Sequence, residues 1–370
     1  MRHLKLRGGD ISLFMGFSGK TSDPRPDALD VRRQGRRMLQ MENDDPMNFS
    51  AYKNMTVLVT GGAGFIGSHL VRGLLAAGAK VRVLDNLNGG SEANLAEVAS
   101  DINFILGDIT DLQQCRKAAS DVKIVFHLAA LGSVPGSVAD PIRYNTVNIG
   151  GTLNVLEAAR LEKVRRVVYS ASSSAYGESP TLPKHEGMKA APKSPYAVGK
   201  YAGELYADVY AQVYGLATIC LRYFNVFGPR QNPRSAYAAV IPAFITAVLE
   251  KRRPQIYGDG GQTRDFCHVS NVVYANMLAG ICATPPSGEV INIACGQNIS
   301  LNTLLEKVVK HLGQSVQAEY LAPRPGDVRD SLADITLAQK IIGYEPVLYF
   351  DEGLAQTVQW YANAYKSVSA

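Results

Sequence analysis

Short apolar runs of strand length alternate along the chain with segments of helical periodicity. The run Thr56-Val57-Leu58-Val59-Thr60 is β-branched and apolar. A helical stretch from Ser68 to about Ala77 follows and ends at Gly78. Lys80 to Leu84 is the next strand, tipped by Asp85. Asn103 to Asp108, Lys123 to Ala130 and Arg165 to Ser170 repeat the pattern, with a helix over Thr152 to Arg160. Strands that alternate with helices predict a parallel, doubly wound α/β sheet. Farther on, Val290 to Ala294 reads as a strand. Ser300 caps a helix to about His311, and Ala333 to Ile342 and Gly353 to Tyr365 read as helices of a smaller C-terminal α/β lobe that binds substrate.

The first link between strand and helix carries chemistry. Gly61, Gly64 and Gly67 supply a tight turn, a close backbone approach to a pyrophosphate and close helix–strand packing. Phe65 and Ile66 open the helix, whose free N–H groups and positive dipole end favour phosphate. Asp85, about 20 residues on, is placed to accept from both ribose hydroxyls and to repel a 2′-phosphate. The cofactor expected is NAD, on a Rossmann-type sheet. Asn86 and Asp108 with Ile109 extend that surface toward the adenine, and Ala129 and Ala130 lie against it. His127 sits inside a β-pattern and reads as a packed strand residue.

A second cluster reads as proton-transfer machinery. Strand Val167–Ser170 runs into Ser172, Ser173 and Ser174. Ser194 then caps a long helix with Pro195 at its first position, so Tyr196 and Lys200 share a helical face. A lysine ammonium beside a phenol favours phenolate, which makes Tyr196 a general base, with Ser172 sharing the proton.

Composition narrows the setting. The 370 residues are 46% hydrophobic, enough for a sizeable core. Five cysteines without CxxC spacing read as reduced thiols of a cytoplasmic protein, and no metal site is expected. No apolar run approaches about 18 residues, so no membrane span is expected. Residues 1–50, with interspersed arginines and no apolar stripe, read as a disordered extension, and their acidic residues argue against nucleic acid as a partner. The NAD-binding domain is expected over 55–222 and a substrate lobe, which the resemblance described next assigns to a sugar nucleotide, mainly over 223–365, with chain crossings between them.

From about Met55 to Tyr361 these residues resemble the extended short-chain dehydrogenase/reductase family, and within it the UDP-hexose 4-epimerases. The resemblance implies that Ser172, Tyr196 and Lys200 are catalytic and that Asn148 closes the active-site side of the preceding helix. It implies sugar-nucleotide contacts from Ser133, Ser172, Ser173, Ser174, Tyr196, Asn225, the backbone around Val240, Arg264, Arg324, Asp327 and Ser331. Dehydratases of this family carry Asp-Glu after the catalytic Ser or Thr, and decarboxylases a Glu at the second position. Ser173 and Ser174 stand there instead. Ser331 occupies a position where many bacterial glucose/galactose epimerases carry tyrosine, and a small residue there resembles enzymes that accept an N-acetyl group. Gly136 departs from that branch, which often has a basic residue.

The implied activity is NAD-dependent 4-epimerisation of a UDP-sugar through a transient 4-keto intermediate. UDP-GlcNAc/UDP-GalNAc is the expected substrate pair, with UDP-glucose/UDP-galactose beside it. The alternatives are a UDP-glucuronate or UDP-GlcNAc-uronate 4-epimerase, a dehydratase, decarboxylase or reductase of the same fold, and a non-catalytic NAD sensor. The resemblance also implies a homodimer through the helices from about Asn148 and Tyr196.

Overall fold

A computed structural model describes residues 49–233, 239–323 and 329–369. The extension expected over residues 1–50 lies outside the described residues as far as position 48. Phe49–Tyr52 form a 3-10 turn, so order starts before the expected first strand. Tyr52 is the reason: it is fully buried and its hydroxyl donates to the Met277 carbonyl at 2.7 Å.

Seven strands form the main sheet: β1 (Thr56–Thr60), β2 (Lys80–Asp85), β3 (Ile102–Leu106), β4 (Ile124–His127), β5 (Arg166–Ser172), β6 (Ala217–Tyr223) and β7 (Ser287–Ile293). All pair in parallel, in the spatial order β3-β2-β1-β4-β5-β6-β7. The order reverses between β1 and β4, so a crevice opens at the carboxyl ends of those two strands. Around the sheet lie α1 (Phe65–Ala76), α2 (Leu112–Ala119), α3 (Thr152–Leu161) and α4 (Pro195–Tyr214). The lobe begins with α5 (Val240–Leu249), and α6 (Val269–Ile281) returns to the sheet. The lobe then continues with α7 (Leu301–Leu312) and α8 (Phe350–Ser369), whereas the helix Thr336–Ile342, expected in the lobe, packs on the main sheet through Ala338 and Ile342.

Strand alternation sorts the core into layers. Val57 and Val59 of β1 join Leu70 of α1 and Val272 and Met277 of α6 on one face. Leu58 joins Val125, Leu156, Val167 and Tyr210 on the other. A third cluster, with Phe227, Phe244, Phe266, Leu304, Phe350 and Leu354, is the core of the lobe. Full burial of each such side chain contributes about 1.5–3 kcal/mol.

The strand expected near Val290–Ala294 is therefore not part of the lobe. It runs Ser287–Ile293 and closes the edge of the main sheet beside β6. The preceding helix α6 is apolar nearly all round, with ten buried residues, because it is held between the sheet and α1. Within the lobe, short ladders join Val226–Phe227 to Cys267–His268, Thr263–Arg264 to Ile299–Ser300, and Gln255–Tyr257 to Glu319–Leu321. All five cysteines are buried and free. No helix among the described residues is long and apolar enough to cross a membrane.

Candidate active site

The glycine turn sits at the crevice and is built for close backbone approach. Gly61 has φ +71°, and a Cβ there would lie 2.7 Å from the Ala129 nitrogen. A Cβ on Gly67 would run into the Gly61 carbonyl. At Gly64 a Cβ would meet only the Gly61 oxygen, at 3.2 Å, so that glycine faces outward. Gly64 is the N-cap of α1 and offers no side chain to the first-turn N–H groups. These donors suit a diphosphate. Asp85 is buried and already braces the turn: Oδ2 accepts from Ala63 N at 2.9 Å and Oδ1 from Leu87 N at 2.8 Å. One acceptor position on each oxygen is left for ribose hydroxyls. Asn86 donates to Asp108 Oδ2 at 2.7 Å, and Thr110 binds Oδ1. Burial raises the Asp108 pKa, but these hydrogen bonds outweigh it and the net shift is downward. Ile109 is packed under the surface against Gly151.

Behind Ala129 and Ala130 runs a buried chain of hydrogen bonds. Ala129 N donates to Thr60 Oγ1 at 3.2 Å, Thr60 Oγ1 meets His127 Nδ1 at 2.7 Å, and His127 Nε2 meets Thr152 Oγ1 at 3.0 Å. Thr152 donates onward to the Asn148 carbonyl at 2.7 Å, so its oxygen accepts from His127 Nε2–H. That places a proton on Nε2. Burial, helped by Lys200, drives the ring's pKa down to about 3, as befits a packed strand residue rather than a base.

Asn148 lies in a π-helical segment, Thr146–Gly151, leading into α3. Its amide clamps Leu131, accepting from N at 2.8 Å and donating to O at 3.1 Å. It thereby holds the loop that carries Ser133, whose hydroxyl caps the helix Val134–Ala139. Gly136 in that helix now has a packing reason: a Cβ there would lie 2.6 Å from the Tyr144 hydroxyl. A basic residue at this position would displace a buried tyrosine.

Ser172 ends β5 and is in register with Tyr223 of β6. Its Oγ accepts from Ser174 N at 3.2 Å and bonds Ser174 Oγ at 2.9 Å. Ser173 lies between them in the same 3-10 turn. Ser194 caps α4 by accepting from Ala197 N, with Pro195 in the first turn as expected.

Lys200 goes elsewhere than expected. Its ammonium donates to the Ser170 carbonyl at 2.7 Å and lies 5.2 Å from the centre of the Tyr169 ring. One helical turn carries Lys200 past the phenol to the end of β5. Burial raises the Tyr196 pKa, Ser172 is the group that draws it back, and the Tyr144 phenol opposes it. The lowering assigned to Lys200 from helical spacing thus comes from Ser172. Burial pulls Lys200 itself down to about 8, and Glu204 supports its charge.

Glu204, four residues beyond Lys200, was not anticipated. It binds Arg222 of β6 through two bonds, 2.8 and 2.7 Å, with both side chains buried. Arg222 also lies 4.6 Å over the Tyr176 ring. The i,i+4 spacing from Lys200 was the available signal; the partner 18 residues away was not.

Past Tyr223 the chain crosses into the lobe, where a cleft of about 540 Å³ brings together Asn225, Val240, Phe244 and Arg264. Asn225, with φ +23°, donates to Ser331 Oγ at 3.0 Å and to the Asp265 carbonyl at 3.2 Å. Arg264 Nη1 donates to the Thr263 and Arg329 carbonyls, both at 2.9 Å. Asp265, fully buried, fastens three segments by accepting from Cys295 N, Gly296 N and Ala333 N at 3.0–3.1 Å. Burial pushes its carboxyl up to about 6. Arg324 and Asp327 lie outside the described residues. No group of His, Cys, Asp or Glu among the described residues is placed to hold a metal ion.

Comparison with known proteins matches this arrangement. Residues 57–294 match the model of the NAD dependent epimerase/dehydratase family. The chain is 41% identical to a UDP-glucose 4-epimerase of Mycolicibacterium smegmatis, over 84% of this chain and 99% of that protein. It is similar to the solved structure of UDP-N-acetylglucosamine 4-epimerase from Methanobrevibacter ruminantium in complex with UDP-N-acetylmuramic acid. The identity is 43%, the TM-score 0.81, and the match covers 84% of this chain and 99% of that one. The Thermus thermophilus UDP-glucose 4-epimerase in complex with NAD is 36% identical, with TM-score 0.77, covering 84% and 100%. With its parallel sheet and its uncapped glycine turn at the switch point, this chain belongs to the NAD dependent epimerase/dehydratase family.

Proposed function

We propose that this protein is a UDP-sugar 4-epimerase that interconverts UDP-GlcNAc and UDP-GalNAc through a 4-keto sugar. The observation that carries the chemistry is the pair of bonded hydroxyls, Ser172 and Ser174, at the end of β5, with Ser172 drawing down the pKa of the Tyr196 phenol. It provides one site of proton exchange. Hydroxyls stand at 173 and 174 in place of the acids that elimination or decarboxylation calls for.

The glycine turn, the first turn of α1 and Asp85 would hold NAD, which accepts and returns the carbon-4 hydride. Tyr196 takes the proton of the sugar 4-hydroxyl and gives it back. Ser172 donates to the phenolate, and Lys200 adds positive charge beside the end of β5. Arg264, Asn225 and the α5 backbone near Val240 grip the nucleotide in the lobe cleft. The choice of an N-acetylated sugar rests on Ser331. Its side chain, small where a phenol would otherwise stand, is tied to Asn225, which lines that cleft.

Proton NMR with no added cofactor tests the reading. A new galacto-configured anomeric signal is expected from UDP-GlcNAc, faster than from UDP-glucose. Reaction of uronic acids alone would overturn the substrate assignment, and no reaction with any of the four sugars would overturn epimerisation.

The enzyme is further proposed to be a homodimer. Val198, Leu205, Val209 and Val213 form an exposed stripe along α4, with Val138 and Ile142 exposed on the helices packed beside it. A second copy covering this face would form a bundle of helices. Sedimentation equilibrium is expected to give twice the chain mass; the mass of a single chain would rule it out.

A further inference from the structure

We propose that His127 is a positioning residue that joins two grips on the segment Ala129–Leu131 and so fixes the wall of the crevice against which NAD would lie. This rests on the reading that Ala129 and Ala130 face the cofactor. The first grip is Thr60, the last residue of β1. Its carbonyl accepts from Leu128 N and its hydroxyl from Ala129 N, both at 3.2 Å. The second is Asn148, whose amide holds both backbone groups of Leu131, at 2.8 and 3.1 Å. Ala130 lies between the two in the chain. His127 connects them. Its Nδ1 stands 2.7 Å from Thr60 Oγ1, and its Nε2 stands 3.0 Å from Thr152 Oγ1, which donates to the Asn148 carbonyl at 2.7 Å.

The placement follows from the sheet. His127 ends β4 in register with Thr60 of β1 and Tyr169 of β5, beside the point where the strand order reverses. Two residues earlier, on the same face, Leu58, Val125 and Val167 pack as apolar side chains. Packing alone would be met as well by such a residue at 127. Instead Thr60, His127, Asn148 and Thr152 are all polar and at most 2% exposed. Burying polar side chains is costly unless each is bonded, and a fully bonded network rigidifies its surroundings into one arrangement. Here each member is bonded, and the part held in place is a segment at the mouth of the crevice. The glycine turn abuts that segment, since Ala129 N lies 2.7 Å from where a Gly61 Cβ would stand.

The test is a double-mutant cycle of Thr60→Val and Thr152→Val, which keep side-chain shape and cut opposite ends of the chain through His127. The readout is the rate at which bound NAD exchanges with isotope-labelled NAD, with urea unfolding measured alongside. Each single variant is expected to exchange roughly tenfold faster. The double variant stays near that value, because either cut already separates the grips; independent grips would multiply to roughly a hundredfold. His127→Asn, which keeps an acceptor where Nδ1 stood but does not reach Thr152, is expected to match Thr152→Val. Unchanged exchange in every variant, with only the urea midpoint lowered, would leave His127 a packing residue and overturn the proposal. Effects that multiply would overturn it too. Ala130→Leu tests the reading beneath it, and is expected to expel NAD by crowding the wall. If that variant exchanges NAD as the wild type does, the segment does not face the cofactor and that reading fails. Loss of NAD from Ala130→Leu alongside normal exchange in the other variants strikes the His127 proposal alone.

Discussion

Tyr196→Phe is expected to fold, to retain NAD and to lose turnover by about 10²–10⁴-fold, the range attributable to one general acid–base group. The substitution removes a single oxygen from a half-buried ring at the start of α4, and the helix keeps its Ser194 cap and Pro195 start. Ser172 stays anchored by Ser174, so the rest of the site keeps its shape. NAD released on denaturation and counted against protein reports retention, while the NMR assay reports the rate. The role assigned to Tyr196 is wrong if the variant turns over at a near-normal rate.

The second large effect concerns stability. Arg222→Leu is expected to cost about 3–5 kcal/mol in urea unfolding, because it strands the Glu204 carboxylate in the interior. Burial already raises the Glu204 pKa, and the guanidinium is the main group drawing it back. Arg222 gains in turn: burial lowers its pKa, but the Glu204 carboxylate outweighs this and raises it. The two short bonds keep the pair ionised. Replacing both partners, as in Glu204→Leu with Arg222→Met, is expected to recover part of the loss, since the carboxylate goes with the guanidinium, while the buried Lys200 loses the charge that Glu204 supplies. A single-variant loss below about 1 kcal/mol would show that the interior tolerates the lone carboxylate, contrary to this account.

Much of the sheet was legible because its signals are local. β1, the glycine turn and β2 are one continuous stretch, and Ser194-Pro195 announces α4 within two residues. What escaped is contact between distant residues. Helical spacing puts Lys200 on the face of Tyr196, but only the packing of α4 on β5 shows that the ammonium ends at Ser170. Asp265 stands in plain view beside Arg264, yet its carboxylate binds residues 30 and 68 positions away. Tyr52 was overlooked because a lone aromatic ahead of β1 carries no periodicity. Strand β7 and the helix Thr336–Ile342 were placed in the lobe by position along the chain, whereas their apolar faces belong to the sheet.

The late return of β7 has a consequence for how the protein is made. A chain growing from its N-terminus completes β1 to β6 by Tyr223, but the strand that covers β6 does not begin until Ser287. In the interval β6 presents a bare row of backbone donors and acceptors on an otherwise finished sheet. Such an edge templates pairing between nascent chains. The lobe must therefore emerge before the edge can be sealed, and any product truncated between the two strands is left adhesive.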